Sequence, residues 1–492
     1  MKRKQHEFIL AKSAMLCATT VLGIGFPLCF SNRVLADPIP KFVYVANLCN
    51  ASPRCRAGSV SAYKVNASTG ALIEIASSPF AAAVQPRWVT VDPSGRFVYV
   101  ANECDRCGSG EVSAYTINGS TGALHPVAGS PFRAGLGTDW VTVDPFSRFA
   151  YAADFFGGIS AYTINASTGA LHAVAGSPFT AGLDPSGVAV DPSGRFAYVS
   201  NLGEHSISAY TIDGATGALS EIAGSPFATG NFPQAVVVHP SGRFVYVVNQ
   251  FDNTVSAFAI DSTTGALSAV TGSPFAAGSF AFSMALHPSG RFAYVVNAVD
   301  ENVSAYRIDS VTGALHPLAG SPFAAGNTPE SVMVDPSGRF VYVGNQDGNN
   351  ITAYAINGST GALSEIASSP FAAGGFPQSV AVAAKPAAPS ALTLAPRSID
   401  FGDIPISGSS LAKSVTVTNT SSNAVAITGI ALRGTAPGQF RFTDDCGTSL
   451  ASHGTCTIKA TFRPTTVGAK AAYLDVNGGG GGRSVALAGT GT

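Results

Sequence analysis

Charge is scarce in this sequence. Asp, Glu, Lys and Arg make up 12% of its 492 residues, about half the share usual in a globular chain, and the formal net charge is -1. So weak a field gathers neither nucleic acid nor an anionic membrane surface. A G-x-S-x-G nucleophile elbow and a Gly-rich phosphate loop are both missing, and D-S-T-T-G at Asp261 lacks the terminal acidic ligand of a calcium loop. No cofactor is implied. Long apolar runs are missing too, with one exception: Lys2, Arg3, Lys4 and Lys12 precede an apolar stretch from Ala14 to Phe30, and Val34-Leu35-Ala36 precedes Asp37. That is the pattern of a secretory signal over residues 1–36, so the expectation is a secreted or periplasmic product with no membrane span after cleavage.

What is abundant is glycine, 54 residues, and proline, 30, which favours short strands joined by tight turns. The tetrapeptide TGAL recurs with its Gly at 70, 122, 169, 217, 265, 313 and 361. The last five steps are 47 or 48 residues and the first is 52, a period that marks a repeat architecture. Each unit reads as four strands: Val89 to Val91 before DPSGR, FVYVAN from Phe97 to Asn102, VSAYTI from Val112 to Ile117, and a segment from Ala123 to Phe132. FVYVAN is apolar on both faces, as a strand must be when its sheet is sandwiched between two others. The first copy begins at Phe42 without an inner V-x-V strand, and the last copy ends with an extra one at Val380 to Val382. The far end of the array should therefore supply the inner strand of the first sheet and close an all-β, seven-bladed propeller of four-stranded blades over residues 37–384, most simply as a monomer.

FVYVAN, VSAY, TGAL and SPF on this period resemble the YVTN-type propellers grouped with the seven-bladed lactonase family, whose members include 6-phosphogluconolactonase-like and muconate-cycloisomerase-like enzymes. The resemblance spans about Phe42 to Ala384 and rests on strand and turn residues. It implies the fold, and a lactone hydrolase or cycloisomerase as one functional reading. After a Pro/Ala linker at 385–390, alternating strands over 391–492 read as a β-sandwich that resembles the ASH/Hydin-type immunoglobulin-like domain of exported proteins. That resemblance implies a spacer or attachment module, with Cys446 paired to Cys456.

Four more cysteines fall in the propeller. Cys49 and Cys104 each stand two residues after VAN, and Cys55 and Cys107 each stand five before the VSAY valine. Both pairs thus occupy the loop between second and third strands of neighbouring blades. Staples Cys49–Cys55 and Cys104–Cys107 fit an oxidising compartment best. One zinc held by four thiolates and pairing across blades are the alternatives; the reading carried forward is no metal.

Catalysis needs unlike groups converging on a point, and a perfect repeat supplies none. Five residues before each DPSGR-type Asp or His the copies differ: Arg87, Asp139, Ser186, Gln234, Phe282, Glu330 and Gln378. The residues following the first two are Trp88 and Trp140, the only tryptophans. Asp154 replaces the Asn that ends the second strand elsewhere (Asn47, Asn102, Asn201, Asn249, Asn297, Asn345) and is followed by Phe155 and Phe156. His205 lies in a loop on the same face, where propeller ligands bind. The candidate ligand residues are therefore Arg87, Trp88, Asp139, Trp140, Asp154, His205, Gln234, Glu330 and Gln378. If lactone chemistry occurs, Asp139 or Glu330 would be the base and Arg87 the cation for a developing oxyanion. The reading favoured by sequence is an exported propeller that binds an extracytoplasmic protein, glycan or small ligand at the channel mouth, with lactone hydrolysis as the alternative.

Overall fold

The protein is described by a computed structural model covering residues 40–49, 58–103, 109–384, 392–396, 398–421, 423–433, 436–478 and 481–492. The leader, the linker, and the loop residues Cys55, Cys104 and Cys107 lie outside the described residues, as does the side chain of Cys49.

Seven antiparallel sheets follow one another. In the second blade the strands from inside to outside are Pro86–Val91, Phe97–Asn102, Glu111–Ile117 and Leu124–Pro126. The inner strands of blades three to seven start at Thr138, Pro185, Pro233, Ala281 and Pro329. Blade one is Pro40–Cys49, Ser59–Val65 and Leu72–Glu74, and its inner strand is Gly375–Ala384. Val43 faces Val382 and Val45 faces Val380 across that closing pair. The second strand of blades two to seven is buried along its whole length, which explains why it carries no polar alternation.

Two tyrosines per unit lock the wheel, except in the fifth blade, where Phe258 replaces the second. Tyr99 donates to the carbonyl of Gly169 in the next blade (3.0 Å), and Tyr115 donates back to Ala81 in the preceding one (2.8 Å). The same contacts cross the closure, from Tyr342 to Gly70 (2.9 Å) and from Tyr63 to Ala372 (2.7 Å). The TGAL glycine is required twice over. At Gly169 φ is +78°, and a Cβ would stand 2.4 Å from the ring of Phe97. His239 and His287 stand where other copies have Asp at the opposite face, and each ring spans from the following serine to a glycine carbonyl of the next blade (His239 Nε2 to Gly290 O, 2.8 Å). They are turn latches.

The outer strand is shorter than the sequence suggests. Leu124–Pro126 pairs with one end of the third strand, and Phe132–Arg133 pairs separately with the other end. Between them lies Ser130-Pro131, a cis peptide. Proline has no N–H to give the ladder, and the Ala114 N–H of the third strand is accepted by the Ser130 hydroxyl in place of a strand carbonyl (2.9 Å).

The C-terminal region forms two sheets. One is Leu392–Ala395, Lys413–Asn419, Thr455–Phe462 and Phe440–Asp444; the other is Ser398–Ile404, Gly481–Gly491, Gly468–Gly478, Val425–Arg433 and Ser449–Leu450. Alternate residues of both, including Val415, Ile458, Phe462, Leu474 and Val485, share one core. Cys446 and Cys456 form a disulfide.

Candidate functional site

Each inner strand breaks step at one residue. Pro86 pairs with Asn102 and Trp88 with Ala101, so Arg87 has no partner. The same skip isolates Asp139, Ser186, Gln234, Phe282 and Glu330, and Gln378 in the closing strand. These are β-bulges, which re-aim a side chain that regular pleating would place elsewhere. Six of the seven bulged residues line one cavity of about 350 Å³, together with Trp88, Trp140, Glu103, Phe155, Phe156, Leu202 and Phe232. Ser186, the seventh, is fully buried and donates to the Gln234 carbonyl (2.9 Å).

Arg87 is the hub of the polar wall. Its Nε donates to Glu103 Oε2, its Nη1 donates to Gln378 Oε1 at 3.2 Å, and Asp139 Oδ1 stands 4.0 Å from Nε. Burial works against the guanidinium charge, but Glu103 and Asp139 more than offset it, raising its pKa and holding it cationic. Burial pushes the Asp139 carboxyl up to about 6; Arg87 pulls it down and Glu103 pushes it further up. Glu330 is pushed up to about 8, again chiefly by burial, with Arg87 pulling down and Asp139 and Asp347 pushing up. Two carboxyls around one cation therefore ionise on opposite sides of neutrality, the separation that acid and base roles require. The other wall is aromatic. Trp88 and Trp140 stack with centroids 3.3 Å apart, and Phe155 meets Phe156 edge-on at 4.8 Å.

Seven of the nine candidate ligand residues thus converge: Arg87, Trp88, Asp139, Trp140, Gln234, Glu330 and Gln378. Asp154 does not. It is fully buried, and its carboxylate accepts from the Thr138 hydroxyl (2.6 Å) and the Ser160 hydroxyl (2.6 Å), taking over the latch that Asn249 makes with Ser256 (2.9 Å) and the Gly230 N–H (3.2 Å). Its carboxylate thus lies off the cavity lining and ties the loop that carries Phe155. His205 is also outside the cavity lining, since its Nδ1 accepts the Phe232 N–H (3.2 Å) and serves the backbone that positions Phe232. Sequence reasoning missed Glu103, Leu202 and Phe232 as lining residues. Glu103, Phe155 and Leu202 all follow the latch residue, where other copies have Leu48, Gln250, Ala298 and Gln346. That second register of unlike residues was the available signal.

The model of the lactonase family with a seven-bladed β-propeller matches residues 43–381. The chain belongs to this family. An Ig-like domain model of the HYDIN/CFA65/VesB-like type matches residues 390–490 of the same lactonase-family chain. Among solved structures, a putative 6-phosphogluconolactonase from Bacteroides uniformis is similar at 18% identity and TM-score 0.61, covering 70% of this chain and 99% of its own. One from Bacteroides fragilis is similar at 20% identity and TM-score 0.59, covering 70% and 98%. A periplasmic gluconolactonase from Pseudomonas aeruginosa is similar at 18% identity and TM-score 0.60, covering 70% and 99%. At these identities the likeness establishes the propeller fold. Comparison with curated proteins finds no match for this lactonase-family member.

Proposed function

We propose that the protein hydrolyses a lactone at the channel-mouth cavity. The observation that carries this is the pair Asp139 and Glu330, with acidities split around neutrality and set about one arginine in a cavity open to solvent, on a propeller of the lactonase family. Asp139, ionised at neutral pH, removes a proton from water as its oxygen attacks the lactone carbonyl carbon. The carbonyl electron pair moves to its oxygen, which receives hydrogen bonds from Arg87 and protonated Glu330. Of the five N–H groups of a guanidinium, two are given to Glu103 and Gln378, fixing the plane in which the others are offered. Collapse breaks the acyl carbon–ring oxygen bond, and the leaving oxygen takes the proton from Glu330, giving a hydroxy acid. Export through the amino-terminal segment belongs to the same proposal, and the N-terminal residue of the mature protein tests it.

Turnover of a lactone panel in a pH-stat tests the chemistry. The expected profile is a bell with limbs near 6 and 8. Asp139→Asn should lose about 10²–10⁴-fold in turnover, and Glu330→Gln should lose the alkaline limb. A pure binder, the reading favoured by sequence alone, would show no turnover anywhere on the panel. The family match and the split carboxyls favour the hydrolase.

A further inference from the structure

The cavity is polarised. Its polar wall holds one cation, Arg87, against Glu103, Asp139 and Glu330. Even with Glu330 protonated the lining is net negative, and among the described residues no second Lys or Arg lines it. Two of the Arg87 N–H groups go to Glu103 and Gln378, and its single positive charge is already outweighed by the carboxylates around it. Among the described lining residues a phosphorylated or carboxylated ligand would meet acid groups without a spare cation, a repulsion that discriminates against it.

Part of the lining joins a run of aromatic rings. Phe232 lines the cavity, Phe251 stacks on it at 4.3 Å, and Phe280 follows 5.8 Å beyond. Phe251 is 51% exposed and Phe156, on the same rim, is 70% exposed. Packing does not explain these rings, since large exposed aromatics contribute little to the core. Backbone preference does not explain them either. The residue two places before every bulge has positive φ, and other blades fill that place with Gln85, Gly137, Asp184 and Thr328, so the turn itself does not call for the phenylalanines at Phe232, Phe280 and Phe376.

We propose that the site takes an uncharged lactone bearing an apolar chain, its ring held at Arg87, Asp139 and Glu330 and its chain laid over Phe232 and Phe251 toward solvent. The ring chemistry rests on the hydrolase reading; the ligand class does not. Because both tryptophans of the chain stack in the cavity, intrinsic fluorescence reads occupancy independently of turnover.

The test uses the full chain with three probes, δ-decanolactone, glucono-δ-lactone and its 6-phosphate, each followed by tryptophan emission and by acid release. The expected result is a KM, or a quenching midpoint, at least tenfold lower for δ-decanolactone than for either other probe. Phe251→Ser, at an exposed position that tolerates polarity, should raise that KM three- to tenfold, with a smaller change for glucono-δ-lactone. Preference for the phosphate, or a Phe251→Ser effect equal on all probes, overturns the ligand class and leaves the hydrolase standing. Quenching by δ-decanolactone without acid release from any probe overturns the hydrolase and leaves the ligand class standing. Neither quenching nor turnover with δ-decanolactone overturns the ligand class.

Discussion

Replacing Glu330 with Gln should flatten the pH dependence of stability above pH 6, whatever the protein acts on. In the folded state burial pushes this carboxyl up to about 8, against an ordinary value of 4.5. Between those two values the folded protein holds a proton that the unfolded chain has released, so stability falls as pH rises. The slope is about 1.4 kcal/mol per pH unit. Asp139, with its carboxyl at about 6, is largely ionised in both states above that pH and adds little there. From pH 6 to pH 9 the wild type should therefore lose roughly 2.5 kcal/mol relative to Glu330→Gln if the full shift operates, and less to the extent that solvent in the open cavity relaxes the buried charge. The rest of the chain is common to both proteins and cancels in the difference. Urea midpoints at pH 6, 7, 8 and 9 measure it. Parallel wild-type and variant curves would show that Glu330 is ionised and solvated in the folded state, and the acid role assigned to it would go with that result.

Other consequences follow from the fold. Gly169→Ala places a methyl 2.4 Å from the Phe97 ring at positive φ and should cost about 2–4 kcal/mol, seen as a lowered thermal midpoint; an unchanged midpoint would mean that the TGAL turn is free to move. Removing the disulfide by Cys446→Ser with Cys456→Ser opens a loop with a sequence separation of 10 and should destabilise the sandwich by about 3 kcal/mol on chain entropy, with propeller melting unaffected. Val380→Asp buries a charge at a position now 1% exposed in the closing strand and should abolish the propeller's cooperative melt, whereas the same exchange at exposed Val311 should shift it by less than about 0.5 kcal/mol.

The wheel could be read from the sequence because its information is local and repeated. The TGAL spacing, the SPF ends and the missing first V-x-V strand each depend on a few adjacent residues, and the closing pair follows from counting. The outer strand was overextended because Ser130-Pro131 looks like part of a run, whereas the serine hydroxyl replaces a backbone partner there. The site was legible as a register but not as a cavity. The register gathered Arg87, Asp139 and Glu330, yet it also pointed to Asp154 as a departure from the rule when that carboxylate performs the rule's own task with Thr138 and Ser160. A substitution at a repeat position marks function only when the new side chain fails to do the old one's work.

That distinction turns on the bulge. In a regular inner strand, residues would alternate between the two neighbouring blades, and a ring of seven identical positions would be packed shut by its own core. One unpaired residue per strand breaks the alternation at the mouth and releases a side chain from packing duty. The position is then free to hold an arginine in one blade, a carboxyl in the next and a phenylalanine farther round, with no change to the Tyr99–Gly169 type of lock that holds the blades together. Ser186 shows the boundary of that freedom. It occupies the same bulge but donates to Gln234 O of the adjacent inner strand, so blade four lends its bulge to the frame while its neighbours give theirs to the cavity. Chemistry and symmetry are thus separated by a single backbone irregularity, and the polar wall and the aromatic wall were assembled from one repeated device.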